Sequence, residues 1–373
     1  MTDIASVRSQ ILTAFAGTSP PPADRLVTEQ GKRDAPGAER IHAMLAGERW
    51  EELSFDFLKE WWSSFCYLTP EATRYYLPAL LITALDHWGE EVDFSHTVVY
   101  SRLMPSAYAI YYHGSDSHFE GLAGLLTKEQ FRAVAAFLAL FLPHSNPGNT
   151  LLLRGAEPSH MMFLASRAMR LFWERAGGPH AEAFAAFDWQ MRHYEYPAPE
   201  DPAAAALVEE IRSAFADAPY PGDNNLSGSR QGDEAAEIAL DLRGVHWRTI
   251  APWLLADNST ATSFLTHEGL RYYLPAFLIA DLMEFGGGRC VFTLTHGFTE
   301  SNFSLYPDTD WFAYGVERMA GFTLPERLAI IRYLEYTAEQ EDYEAANIHE
   351  ALERYWRPSL GNKGDVEVAG DKT

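Results

Sequence analysis

The eighteen-residue segment Leu68–Leu85, LTPEATRYYLPALLITAL, recurs 197 positions later at Leu265–Leu282 as LTHEGLRYYLPAFLIADL. Twelve of the eighteen positions are identical, including the unbroken run Arg-Tyr-Tyr-Leu-Pro-Ala at Arg74–Ala79 and Arg271–Ala276. A match of that length at one fixed offset makes the chain two tandem copies of a single module. Chain length agrees, because 373 residues exceed what one hydrophobic core usually organises.

The offset extends beyond the motif. Trp50 aligns with Trp247, and Ile11-x-x-x-Phe15 resembles Ile211-x-x-x-Phe215. Downstream, Leu126-Thr127 matches Phe322-Thr323 at an offset of 196, and each copy closes on an aromatic pair, Phe172-Trp173 and Tyr355-Trp356. Breaker-dense YPAPEDP at Tyr196–Pro202 reads as the linker, which puts the first module at 5–195, the second at 203–358 and a polar tail at 359–373.

Local signals are mainly helical. Thr69 and Thr266 are N-cap candidates, with Pro70 at the first helical position and Glu71 or Glu268 in a first turn that favours negative charge. Thr127 with Gln130, and Thr323 with Glu326, fit the capping box. Phe131, Val134, Leu138 and Phe141 then recur at helical spacing, as do Leu328, Ile331 and Leu334. Pro78 and Pro275 fall inside the motif helices, where a proline removes one bond and crowds the carbonyl of Arg74 or Arg271, so a kink is expected. The best strand candidates are His96–Tyr100 with Tyr108–Tyr112, and Cys290–Thr295, which would give each copy a small β-hairpin. The expected fold is two homologous, mainly α modules.

A net charge of −23 and a pI near 4.9 disfavour nucleic acids and anionic membranes and favour a protein partner with a basic surface. Cys66 and Cys290 are far apart, and Cys66 aligns with Ser263, so no disulfide framework is expected. Cys66, after an aromatic stretch, reads as an inert buried thiol. The N-terminus carries no signal-peptide pattern and no apolar run is long enough to span a bilayer, which makes a cytoplasmic protein the default expectation.

None of the thirteen histidines is repeated at the 197 offset, and His113 and His118 read as solvated loop residues. The HExxH, GxSxG, Walker A and GxGxxG patterns are absent from the sequence, and Gly286-Gly287-Gly288 reads as a helix stop. No metal or cofactor is expected. The candidate ligand- or partner-binding residues are therefore the repeated polar set: Glu71, Arg74, Tyr75 and Tyr76, with Glu268, Arg271, Tyr272 and Tyr273. One reading makes each arginine an i,i+3 partner of its glutamate on a half-buried helix, with the tyrosines filling the core and one of each pair left accessible. The other makes a cleft in which arginine holds an anion or a partner's carboxylate.

The LTPEA-x-RYYLPA-x-L pattern resembles the hallmark of an uncharacterised family of small bacterial proteins, whose module also carries an Ile-x-x-x-Phe helix, a Trp before the motif and an LTPEQ-type capped helix. Leu68–Leu80 fits closely. The second copy departs at His267, where proline is usual, and at Gly269-Leu270, while Leu126–Phe137 and Phe322–Tyr333 resemble the later helix. The resemblance implies a helical domain and no activity. Acidity, aromatic richness and doubling then point to a non-enzymatic protein-binding protein, such as an immunity protein that neutralises a bacterial toxin. A hydrolase or small-anion-binding protein using the Arg/Tyr/Glu cluster is the alternative.

Overall fold

Both copies of the motif become the central helix of a helical unit in the computed structural model, which describes residues 3–29, 36–89, 94–142, 158–285, 290–300, 310–340 and 342–361. The chain divides into two compact units, Met1–Gln190 and Met191–Thr373. The first unit contains α1 (Ile4–Phe15), α2 (Pro36–Leu45), α3 (Phe55–Trp61), α4 (Pro70–Asp86) and α5 (Phe94–Val98). These are followed by α6 (Ala107–His113), α7 (Ser117–Leu125), α8 (Lys128–Leu138), α9 (His160–Leu171) and α10 (Gly178–Arg192). The second contains α11 (Pro202–Ala214), α12 (Glu234–Leu242), α13 (Pro252–Asp257), α14 (Ala261–Phe264) and α15 (His267–Leu282). It ends with α16 (Val291–Thr295), α17 (Trp311–Met319), α18 (Leu324–Gln340) and α19 (Asp342–Ala351).

The motif helices α4 and α15 are buried because they are apolar nearly all round, a pattern that belongs in the middle of a bundle. Every residue from Tyr75 to Leu81 and from Tyr272 to Ala280 is buried. Both helices run unbroken through Pro78 and Pro275. Thr69 and Thr266 cap them as expected, accepting from the Ala72 and Gly269 amides at 3.2 and 3.0 Å. The same hydroxyls donate to the carbonyls of Arg25 and Asn225, at 2.6 and 2.8 Å. One cap thus fixes both the start of the helix and the preceding loop.

The helical spacing of Ile11/Phe15 and Ile211/Phe215 buries all four side chains completely. Thr127 and Gln130 close a full capping box on α8, while the Glu326 carboxylate accepts the Thr323 amide at 2.7 Å before α18. Trp173 and Trp356, both fully buried, donate their indole N–H to the carbonyls of Leu103 and Leu294 at 2.7 and 2.9 Å.

Two sequence expectations are corrected, the β-hairpins and the burial of Cys66. His96–Tyr100 is α5 running into a π-helical turn (Val99–Leu103), Tyr108–Tyr112 lies in α6, and Cys290–Thr295 caps and forms α16. No hairpin forms there; the extended pairing among the described residues is limited to isolated bridges, Val27 with Leu68 and Ser227 with Leu265. The β-branched and aromatic content of those segments suits a strand, but packing decides such short stretches. The division between the two compact units falls after Gln190, and the Tyr196 hydroxyl donates to the Ile250 carbonyl at 2.9 Å. Cys66 is exposed, not buried, and the Arg102 guanidinium hydrogen-bonds it. Gly286–Gly288 and most of the 359–373 tail lie outside the described residues.

Candidate functional site

The repeated arginines and tyrosines turn inward, and the tyrosines find the same kind of partner in both units. Tyr76 donates to the carbonyls of Leu45 and Glu48 at 2.8 and 3.2 Å. Tyr273 does the same to Leu242 and, at 3.0 Å, to Val245. Both pairs of acceptors are 197 residues apart and lie where α2 and α12 end, so the second tyrosine of the motif satisfies carbonyls that a helix terminus leaves unpaired. Burial raises both phenols far above their usual range, which keeps them as neutral donors. The first tyrosines, Tyr75 and Tyr272, are buried too and raised by burial; the main chains of Trp50 and Trp247 hydrogen-bond their hydroxyls. Neither tyrosine of either pair is left accessible.

The arginines do not pair with the glutamates three residues before them. Arg74 donates from Nε to Gln130 Oε1 at 3.1 Å. Arg271 makes a forked contact with Glu326, Nε at 3.1 and 3.0 Å to the two carboxylate oxygens and Nη2 at 3.0 Å. Gln130 and Glu326 are the third helical residues of the later capping boxes, so the motif arginine locks α4 to α8 and α15 to α18. Both acceptors are only 1 % exposed. The first unit uses a neutral amide where the second uses a buried ion pair.

Glu268 is different: it lines an open cleft of about 380 Å³ at the start of α15, together with Gly228, Ser229, Ser263, Thr266, His267, Tyr314 and Arg318. An Arg/Tyr/Glu set thus surrounds a cavity, but its arginine and tyrosine come from α17. Arg318 is held there by a hydrogen bond from Nη2 to the Thr262 carbonyl. α7 starts after Asp116 and α17 after Asp310, and each carboxylate accepts from a first-turn amide of its helix, which pairs the two helices. A Cβ on Gly121 would meet Pro70 Cγ at 2.9 Å, so α7 lies directly on the start of α4. His118 on α7 contacts the Thr73 hydroxyl at 3.2 Å, and burial lowers its pKa. It is therefore a helical, half-buried residue and not a solvated loop one. In the second unit His267 stands at the position of Pro70.

From Tyr314 a chain of rings runs along the surface. Trp311 meets it edge-on at 5.8 Å, His296 lies 4.9 Å from Trp311, and Phe292 stacks on His296 at 4.8 Å. Phe292 and Tyr314 are 59 % and 41 % exposed. Among the described residues no group of three or more His, Cys, Asp and Glu side chains is placed to hold a metal ion, and no helix is long and apolar enough to cross a membrane.

A model of a family of unknown function, DUF6714, matches residues 4–151 and again 203–360. The chain belongs to this family. Each matched stretch contains one motif helix, α4 or α15. No curated protein and no solved structure matches the chain significantly.

Proposed function

We propose that this DUF6714 member is a binding protein whose recognition site is the cleft at the start of α15, where Arg318 and Tyr314 hold a small anion or the carboxylate of a partner. One observation carries the reading: the motif's own arginines and tyrosines are committed to internal bonds, whereas Arg318, Tyr314 and Glu268 line open space. An arginine already fixed on a carbonyl loses little freedom on binding, and its remaining N–H groups suit a carboxylate. Serine and threonine hydroxyls at Ser229, Ser263 and Thr266 add donors. A hydrolytic version of the site would use Ser263 with His267, but among the described residues these form no hydrogen bond to each other. Titration calorimetry of the full chain with acetate, benzoate and inorganic phosphate tests the proposal. Saturable binding of one ion per chain, at about millimolar strength, supports it, and heats that scale only with dilution contradict it.

A second reading, favoured by the exposed ring chain from Phe292 to Tyr314 and the net charge of −23, is docking of a protein with a basic surface, as an immunity protein docks a toxin. Its test is capture from the native host. A stoichiometric basic protein, lost on Phe292→Ala, supports it; recovery of none, or of one indifferent to that substitution, counts against it. Both readings place the protein in the cytoplasm, in keeping with two free cysteines.

A further inference from the structure

The cleft holds one cation and one anion that do not neutralise each other. Arg318 and Glu268 both line it, yet among the described residues they form no ion pair with each other, and Arg318 donates to the Thr262 carbonyl. Opposite charges facing one cavity without pairing are complementary to a ligand that carries both charges. Half-exposed Tyr314 adds a flat apolar wall that continues into Trp311. At about 380 Å³ the cavity suits a small molecule and not a folded partner.

The geometry points to a free α-amino acid with an aromatic or branched apolar side chain as the ligand of this cleft. Its carboxylate sits on Arg318, its ammonium on Glu268 and its side chain against Tyr314. This rests on the binding function proposed for the cleft and narrows it from anions in general to zwitterions. The first unit supplies an internal comparison. Glu71 occupies the position of Glu268 there, and α7 is pressed on Pro70 at Gly121.

The test is calorimetry of the full chain with phenylalanine, tyrosine, leucine and isoleucine, each also as its N-acetyl derivative and its amide. At least one free amino acid is expected to bind saturably, and blocking either end should weaken it by about tenfold or more, the value of one charge-assisted hydrogen bond. Arg318→Gln and Glu268→Gln should each weaken the free amino acid by a similar factor, and Glu71→Gln should leave it unchanged. Equal binding of the free and N-acetyl forms would overturn the role of Glu268 while leaving anion binding in place. Saturable binding of acetate or benzoate but of no free amino acid would also overturn the zwitterion inference alone. Absence of binding by every compound, simple anions included, would overturn both.

Discussion

Replacing Glu326 separates what charge and what shape contribute to the joint between α15 and α18. Its carboxylate accepts from Arg271 Nε and Nη2 and from the Thr323 amide, and it is almost wholly buried. Glu326→Ala leaves those donors without an acceptor and strands a guanidinium whose side chain is 26 % exposed. Breaking a buried pair from one side costs about 3–5 kcal/mol; the partial exposure of Arg271 places this case near the lower end, at about 3 kcal/mol. Glu326→Gln keeps the acceptor, and the first unit demonstrates that glutamine fits, since Gln130 Oε1 accepts from Arg74 and from the Thr127 amide, both at 3.1 Å. What it loses is charge assistance, about 1 kcal/mol. Urea unfolding of the full chain measures both, with the midpoint shifted and the slope unchanged. The reasoning fails if the two variants cost the same, or if Glu326→Ala costs less than about 1 kcal/mol.

Other substitutions test the remaining contacts. Tyr273→Phe and Tyr76→Phe each remove a buried hydroxyl that serves two carbonyls and should cost about 1–3 kcal/mol by urea unfolding, against near-zero for Tyr343→Phe, whose residue is 93 % exposed. Gly121→Arg should destabilise by about 1–3 kcal/mol through the clash with Pro70, whereas Arg318→Gly should cost less than about 1 kcal/mol. Burial lowers the pKa of His118, His180 and His246 from 6.5. The native chain therefore binds fewer protons than the unfolded one below that value, so this stability is present above pH 6.5 and is lost as pH falls toward the folded pKa values. A urea midpoint that stays flat or rises over that interval would contradict the assignment.

Much of the fold is legible in the sequence because its signals are local. The caps at Thr69 and Thr266, the capping box at Thr127 and the proline at the first helical position each depend on residues within one turn, and all are where spacing puts them. The partners of Arg74 and Arg271 are not local. Gln130 and Glu326 lie 56 and 55 residues away, and an i,i+3 glutamate is the nearer but wrong choice. The capping boxes were visible, yet nothing in the spacing says that their third residue also accepts from the motif helix. The cleft escaped for a different reason. Comparison of two copies draws attention to identical positions, and Arg318 and Tyr314 stand where the copies differ. The one available signal was His267 in place of the expected proline, a departure at the very edge of the cavity. Identity between the copies marks what both must do to fold; open chemistry lies where one copy has changed.

The most direct test of this account compares two arginines in one binding experiment. Arg318→Gln and Arg74→Gln are titrated with benzoate beside the unmodified chain. Arg318→Gln should abolish saturable binding, while Arg74→Gln, which alters only an internal bond to Gln130, should leave the affinity unchanged. Loss of binding in Arg74→Gln with binding intact in Arg318→Gln would return the site to the repeated motif and contradict it.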